Sequence, residues 1–189
     1  MTSIAGLVLA AGFARRFGSD KRQAVLGSGA TLLASSLKQV HAALPATWVV
    51  LRPGDDAQAL GVPVAMPVVR SELAADGLGH SLASGVRAIS EQSAADAVAI
   101  FLGDMPWISP ATLEQLFARV SAAHIVQPVY AGQPGHPVIF GRQFWPELLQ
   151  LSGDAGARSV LQAHPDAVVR IAVNDPGVLQ DVDTPAALR

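Results

Sequence analysis

The 189-residue sequence contains no cysteine, which excludes disulfides, thiolate metal centres and iron–sulfur ligation and makes a cytoplasmic setting the simple expectation. No apolar stretch approaches the ~18 uninterrupted residues of a membrane helix, so no membrane partner is expected. The apolar run at residues 4–11 has no basic segment before it and its arginines come after it, the reverse of a secretion signal. Thirteen basic against fifteen acidic residues give a formal charge of −2, so there is no general basic surface for nucleic acid, and whatever positive charge matters is local. Lysine is scarce as well. Only Lys21 and Lys38 occur, so a lysine inside a loop carries more weight than it would in a lysine-rich chain.

What is present is an apolar half, enough for one well-buried core, and we expect a single domain over residues 1–189. Strand-like and helix-like runs alternate. Residues 4–9, 48–51, 62–69, 96–102 and 168–173 read as strands, the fourth being the clearest central one. Residues 31–44, 81–89, 143–151 and 155–163 read as helices, and Ser109-Pro110 opens another in the favoured order of cap then proline. Such alternation predicts an α/β fold with a mostly parallel central sheet and helices on both faces. Residues 125–140 break the pattern with two strand-like runs around a Gly-Pro turn, which we read as a small β-excursion.

Ligands of parallel sheets bind beyond the carboxyl ends of the strands. Two segments fall there. Residues 9–21, LAAGFARRFGSDK, follow the first strand and combine Gly12 and Gly18 with Arg15, Arg16 and Lys21, and Arg22 comes next, a composition suited to holding phosphates. Gly103-Asp104-Met105-Pro106 follows the central strand. The Walker loop is excluded because Gly18 is not followed by Lys, and the dinucleotide fingerprint because Gly12 lacks its partner glycines.

The loop resembles the nucleotidyltransferase signature L-A-(A/G)-G-x-x-x-R-x-G-x-x-K, with Ala14 where the family has serine. Four later segments resemble the molybdopterin branch of that family in the same order: Gly77 to Val86, the Gly103-Asp104-Met105-Pro106 turn, Gly135-His136-Pro137 with Gly153 to Arg158, and Asp181-Val182-Asp183-Thr184-Pro185. The resemblance implies a Rossmann-like fold and transfer of a nucleotide to the terminal phosphate of molybdopterin. It assigns catalysis to Arg16, Lys21 and Asp104, and Mg²⁺ to Asp104 and Asp183, with Asp181 the alternative ligand. It assigns the nucleotide to Leu9, Ala10, Ala11, Gly12, Gly18, Lys21, Gly79, Ser81, Ser84 and Asp104. The acceptor falls to His136, Pro137, Asp154 and Arg158, although Asp154 and Arg158 are equally readable as a helix-end ion pair.

Ala11 stands where the guanylyltransferase branch has glycine. Its methyl group narrows the base pocket and favours CTP over GTP, which makes the molybdenum cofactor cytidylyltransferases the nearest resemblance. A GTP-dependent guanylyltransferase, another phosphate-acceptor transferase and a non-catalytic cofactor carrier are the alternatives. The partners expected are CTP, molybdopterin and, transiently, a molybdoenzyme or its chaperone. The absence of an obvious catalytic His or Cys fits, since a phosphate monoester with a second pKa of ~6 attacks without a general base.

Overall fold

The structure is a computed structural model that describes residues 2–13 and 17–188. Its sheet contains β1 (Ile4–Leu9), β2 (Thr47–Leu51), β3 (Val68–Arg70), β4 (Ala97–Leu102), β5 (Ile125–Tyr130), β6 (Gln133–Pro134), β7 (Val138–Gly141) and β8 (Val168–Ala172). The order is β3-β2-β1-β4-β7-β5-β6, with β8 on β5. β1, β2, β3 and β4 are mutually parallel, as are β5 and β8, whereas β7 runs antiparallel to both β4 and β5.

The helices are α1 (Leu32–Ala43), α2 (Leu78–Gln92), α3 (Pro110–Phe117), α4 (Trp145–Leu148) and α5 (Arg158–Ala163). Alternate residues of the strands feed two cores. Val8, Ala97, Ala99 and Phe101 face α1 and α3 through Leu33, Leu37, Leu113 and Leu116. Leu7, Leu9, Val98 and Ile100 face α2, α4 and α5 through Leu82, Val86, Ile89, Trp145 and Val160. Burial on both faces is why β1 and β4 read as continuous apolar runs rather than alternating ones.

The route from β1 to β2 runs through α1 on one face, and that from β3 to β4 through α2 on the other. The two crossovers diverge from the seam between β1 and β4, which are paired from Ile4↔Ala97 to Leu9↔Leu102. A crevice opens at such a switch point, beyond Leu9 and Leu102. Close helix-to-sheet packing there depends on Gly85 of α2, where a Cβ would lie 2.6 Å from Leu7 Cδ1 and 2.9 Å from Val50 Cγ2.

Several boundaries differ from the sequence reading. Residues 125–140 are not an excursion: β5 and β7 belong to the main sheet, and only the short β6 extends beyond it as a hairpin. The strand expected at 62–69 shrinks to β3, because prolines at 63 and 67 deny the ladder its donors. Residues 143–151 form a 3₁₀ turn and the single turn of α4, and helix α5 starts only at Arg158, after the glycines at 153 and 156 take positive φ.

Candidate active site

A cleft of about 530 Å³ lies over the switch point. Its walls come from the β1 loop (Leu9, Ala10, Ala11, Gly12, Phe13, Phe17), from Lys21 and Arg22, and from Ala74 to Leu78 with Ser81 at the start of α2. Gly103 and Asp104 after β4, then Asp154 and Asp183, complete it.

Lys21 opens a 3₁₀ turn, Lys21–Gln23, capped by Asp20, whose carboxylate accepts from the Arg22 amide at 3.1 Å. The turn aims the ammonium at the end of β4. Lys21 Nζ donates to Asp104 Oδ2 at 2.7 Å, to the Val182 carbonyl at 3.0 Å and to Asp183 Oδ1 at 3.2 Å. Burial alone would lower its pKa, but the contacts to Asp104 and Asp183 outweigh burial and hold it above the usual lysine value, so it stays charged. The C-terminal segment is fixed on Asp104 by Val182 N–H donating to the Asp104 carbonyl at 3.1 Å.

Ligand oxygens of Asp104, Asp181 and Asp183 lie within 4.8 Å of one another. Asp104 Oδ1 is buried and has no hydrogen-bond partner among the described residues. A buried, unpartnered carboxylate oxygen is costly unless something positive meets it, and hard oxygen donors suit a divalent cation such as Mg²⁺ or Mn²⁺. Burial, then the neighbouring Asp183 and Asp104, push the Asp181 carboxyl above its usual range, as expected where like charges crowd.

Arg22, read with Arg15, Arg16 and Lys21 as positive charge for phosphates, is engaged by the protein itself. It is buried, and its guanidinium donates to Asp20 Oδ1 at 2.8 Å, to Asp55 Oδ1 at 2.8 Å and to the Ala10 carbonyl at 2.9 Å. Its charge is spent on architecture, tying the 3₁₀ turn and the end of β2 to the β1 loop. Hydrogen bonds from Arg22 lower the Asp20 pKa; at Asp55 burial raises it, but Arg22 and the Arg52 amide outweigh burial and the net shift is also downward. Groups with depressed folded-state pKa stabilise the fold above ~4, their unfolded value, and lose that contribution as pH falls through the folded value. Asp55→Asn is therefore expected to cost about 1.5 kcal/mol at neutral pH. The gap to the wild type should narrow below pH ~4; urea titrations at pH 7 and pH 3 check it, and an unchanged gap would remove Asp55 from the ledger of pH-dependent stability.

The structure brings Leu9, Ala10, Ala11, Gly12, Lys21, Ser81, Asp104, Asp154 and Asp183 onto one cleft. Arg16, with Ala14 and Arg15, lies outside the described residues. Gly18, Gly79, Ser84, His136, Pro137 and Arg158 are off the cleft wall. Gly18 takes a positive φ of 78° in the loop. At Gly79 a Cβ would stand 2.7 Å from the Ser152 carbonyl oxygen, and its N–H donates to the Gly153 carbonyl, so this glycine serves packing. Ser84 turns its hydroxyl back to the His80 carbonyl at 2.9 Å. Arg158 is exposed, and no ion pair joins it to Asp154 among the described residues. His136 instead borders a second cavity of about 210 Å³ with Gly135, Val178 and Asp181; Leu102 lines both cavities, and Asp104 and Asp183 line the larger one. Burial, partly offset by Asp104 and the Ile100 carbonyl, lowers the His136 pKa, and Nδ1 has no partner among the described residues.

Sequence reading missed Phe13, Phe17, the 74–76 turn and Arg52. The signal for Arg52 was its place: a charged residue directly after an all-buried strand, at that strand's carboxyl end.

A lysine at the end of a glycine loop, bonded to a carboxylate just beyond the central strand β4, is the arrangement of an α/β nucleotidyltransferase. The chain belongs to one family of these enzymes: the model for the MobA-like NTP transferase domain matches residues 6–168. It is 31% identical to the purine catabolism protein PucB of Bacillus subtilis (strain 168), over 95% of this chain and 91% of that one. It is 27% identical to the nicotine blue oxidoreductase of Paenarthrobacter nicotinovorans, over 96% and 92%. The crystal structure of Rv0371c from Mycobacterium tuberculosis H37Rv superposes with a TM-score of 0.82 at 29% identity, covering 98% of this chain and 95% of that chain, and a structure of that protein has been solved in complex with manganese. No helix among the described residues is long and apolar enough to cross a membrane.

Proposed function

We propose that the protein transfers CMP from CTP to the terminal phosphate of molybdopterin, releasing pyrophosphate, with Mg²⁺ as the metal. The observation that carries transfer rather than carriage is the Lys21 ammonium held among Asp104, Val182 and Asp183 at the mouth of the cleft, a cationic and metal-competent centre that mere binding would not require. Asp104, Asp183 and Asp181 would hold the metal, which when bound neutralises phosphate charge and polarises the attacked phosphorus. Lys21 supplies a fixed positive charge for the β- and γ-phosphates and the departing pyrophosphate. Among the described residues the Ala11 and Gly12 amides have no partner, whereas the Ala10, Ala11 and Gly12 carbonyls are taken by Arg22 and Arg52. The loop thus presents donors to acceptor atoms of the nucleotide.

The acceptor is assigned to the second cavity, lined by Gly135 and His136, because Asp181 of the acid trio lines it while Asp104 and Asp183 line the larger cleft. Support for molybdopterin itself is the resemblance of residues 135–137 and 153–158. The test is to mix protein, Mg²⁺, molybdopterin and each nucleoside triphosphate, and to identify the dinucleotide and the pyrophosphate. GTP product would reassign the enzyme as a guanylyltransferase; no product with any nucleotide would favour the carrier reading.

Ala11 lines the cleft and packs into the core on the α2 side, and the resemblance supports its methyl group as the feature that narrows the base pocket. Ala11→Gly is expected to raise the GTP/CTP ratio of kcat/KM about tenfold, the worth of one methyl group's fit in a pocket. Measuring both efficiencies separately decides it: an unchanged ratio would take base choice away from Ala11.

A further inference from the structure

Phe13 is a large apolar side chain left 50% exposed on the wall of a cleft. One of its faces is already covered. The Arg52 guanidinium carbon stands 4.2 Å from the ring centroid. Arg52 is no wandering surface cation: Nε donates to the Ala11 carbonyl at 3.3 Å and Nη2 to the Gly12 carbonyl, and its own amide donates to Asp55 Oδ2 at 2.9 Å. The guanidinium plane is fixed by the same backbone that carries Phe13, so ring and cation form one rigid shelf. The phosphate-binding cation, Lys21, and the carboxylates at the end of β4 line the same cleft.

We propose that Phe13 is the stacking face for the nucleobase of the donor nucleotide, and that Arg52 is the positioning residue that holds the ring flat for it. This rests on the nucleotidyl-transfer reading above. A π-face accepts any base, so the shelf supplies affinity common to all nucleotides, while selection among bases remains with the polar edges and Ala11.

The experiment is calorimetric titration of the full chain with CTP, GTP and inorganic tripolyphosphate in the presence of Mg²⁺. Phe13→Ala should weaken CTP and GTP alike by about tenfold or more, the worth of a stacked base, and leave tripolyphosphate, which has no base, unchanged. Phe13→Trp should restore nucleotide binding, whereas Phe13→Leu, apolar but not aromatic, should not. Arg52→Lys should weaken both nucleotides by a smaller factor, since an ammonium keeps the charge but not the planar stack or the fork to two carbonyls. Unaltered CTP binding by Phe13→Ala overturns the proposal, as does an equal loss of tripolyphosphate, which would make the ring a structural support. Failure of the unaltered protein to bind any nucleotide overturns the transfer reading itself, and the shelf with it.

Discussion

Lys21→Ala is expected to lower turnover about 10²–10³-fold while the protein remains folded, because a preorganised cation acts on charge that grows as pyrophosphate departs. The side chain is only 19% exposed and is paired with Asp104, so the lost charge is not replaced by solvent at equal strength. Pyrophosphate release by the variant measures the effect, and a far-ultraviolet circular dichroism spectrum like that of the wild type separates it from unfolding. A folded variant with normal turnover would remove Lys21 from the chemistry and leave it as a counter-ion for the acid trio.

Asp104→Ala is expected to be at least as severe, about 10³-fold, since a divalent ion contributes several kcal/mol to such a reaction. Its fixed position would depend on the carboxylate at the end of β4. Asp104 is the least exposed of the three aspartates and alone has a buried, unpartnered oxygen, whereas the Asp183 side chain is 50% exposed. Asp183→Ala should therefore cost less and leave a metal response shifted to higher concentration. The discriminating measurement is activity against Mg²⁺ and Mn²⁺ concentration for both variants. A normal metal response in Asp104→Ala would return that residue to the role of a turn.

The strands and helices around the switch point were legible because their signals are local: the all-apolar runs of β1 and β4, the helical spacing of Leu33, Leu37 and Val40, the Ser109-Pro110 start of α3. The positions of Gly12 and Asp104 followed from those ends. What the sequence concealed depended on partners far along the chain. Arg22 looks like Arg15 or Arg16 until Asp55, 33 residues away, is seen to bind its guanidinium. Ser84, inside the helix expected at residues 81–89, reads as a nucleotide contact until its hydroxyl is seen to donate to the His80 carbonyl. His136 and Asp154 were grouped as neighbours by motif, yet one borders the small cavity and the other the large cleft. Phe13 and Arg52 carry no motif at all, and only the return of β2 alongside β1 brings them face to face.

At Gly77 a Cβ would lie 2.3 Å from the Gly153 carbonyl carbon, and the Gly79 amide is bonded to the Gly153 carbonyl at 2.8 Å. The first turn of α2 and the loop carrying Asp154 are thus two jaws riveted at one point, with no side chain between them to slide. A side chain at position 77 would have to push the two apart, so Gly77→Ala is expected to displace the Asp154 wall of the cleft from the start of α2. The glycine at position 77 therefore keeps these two walls of the cleft in contact.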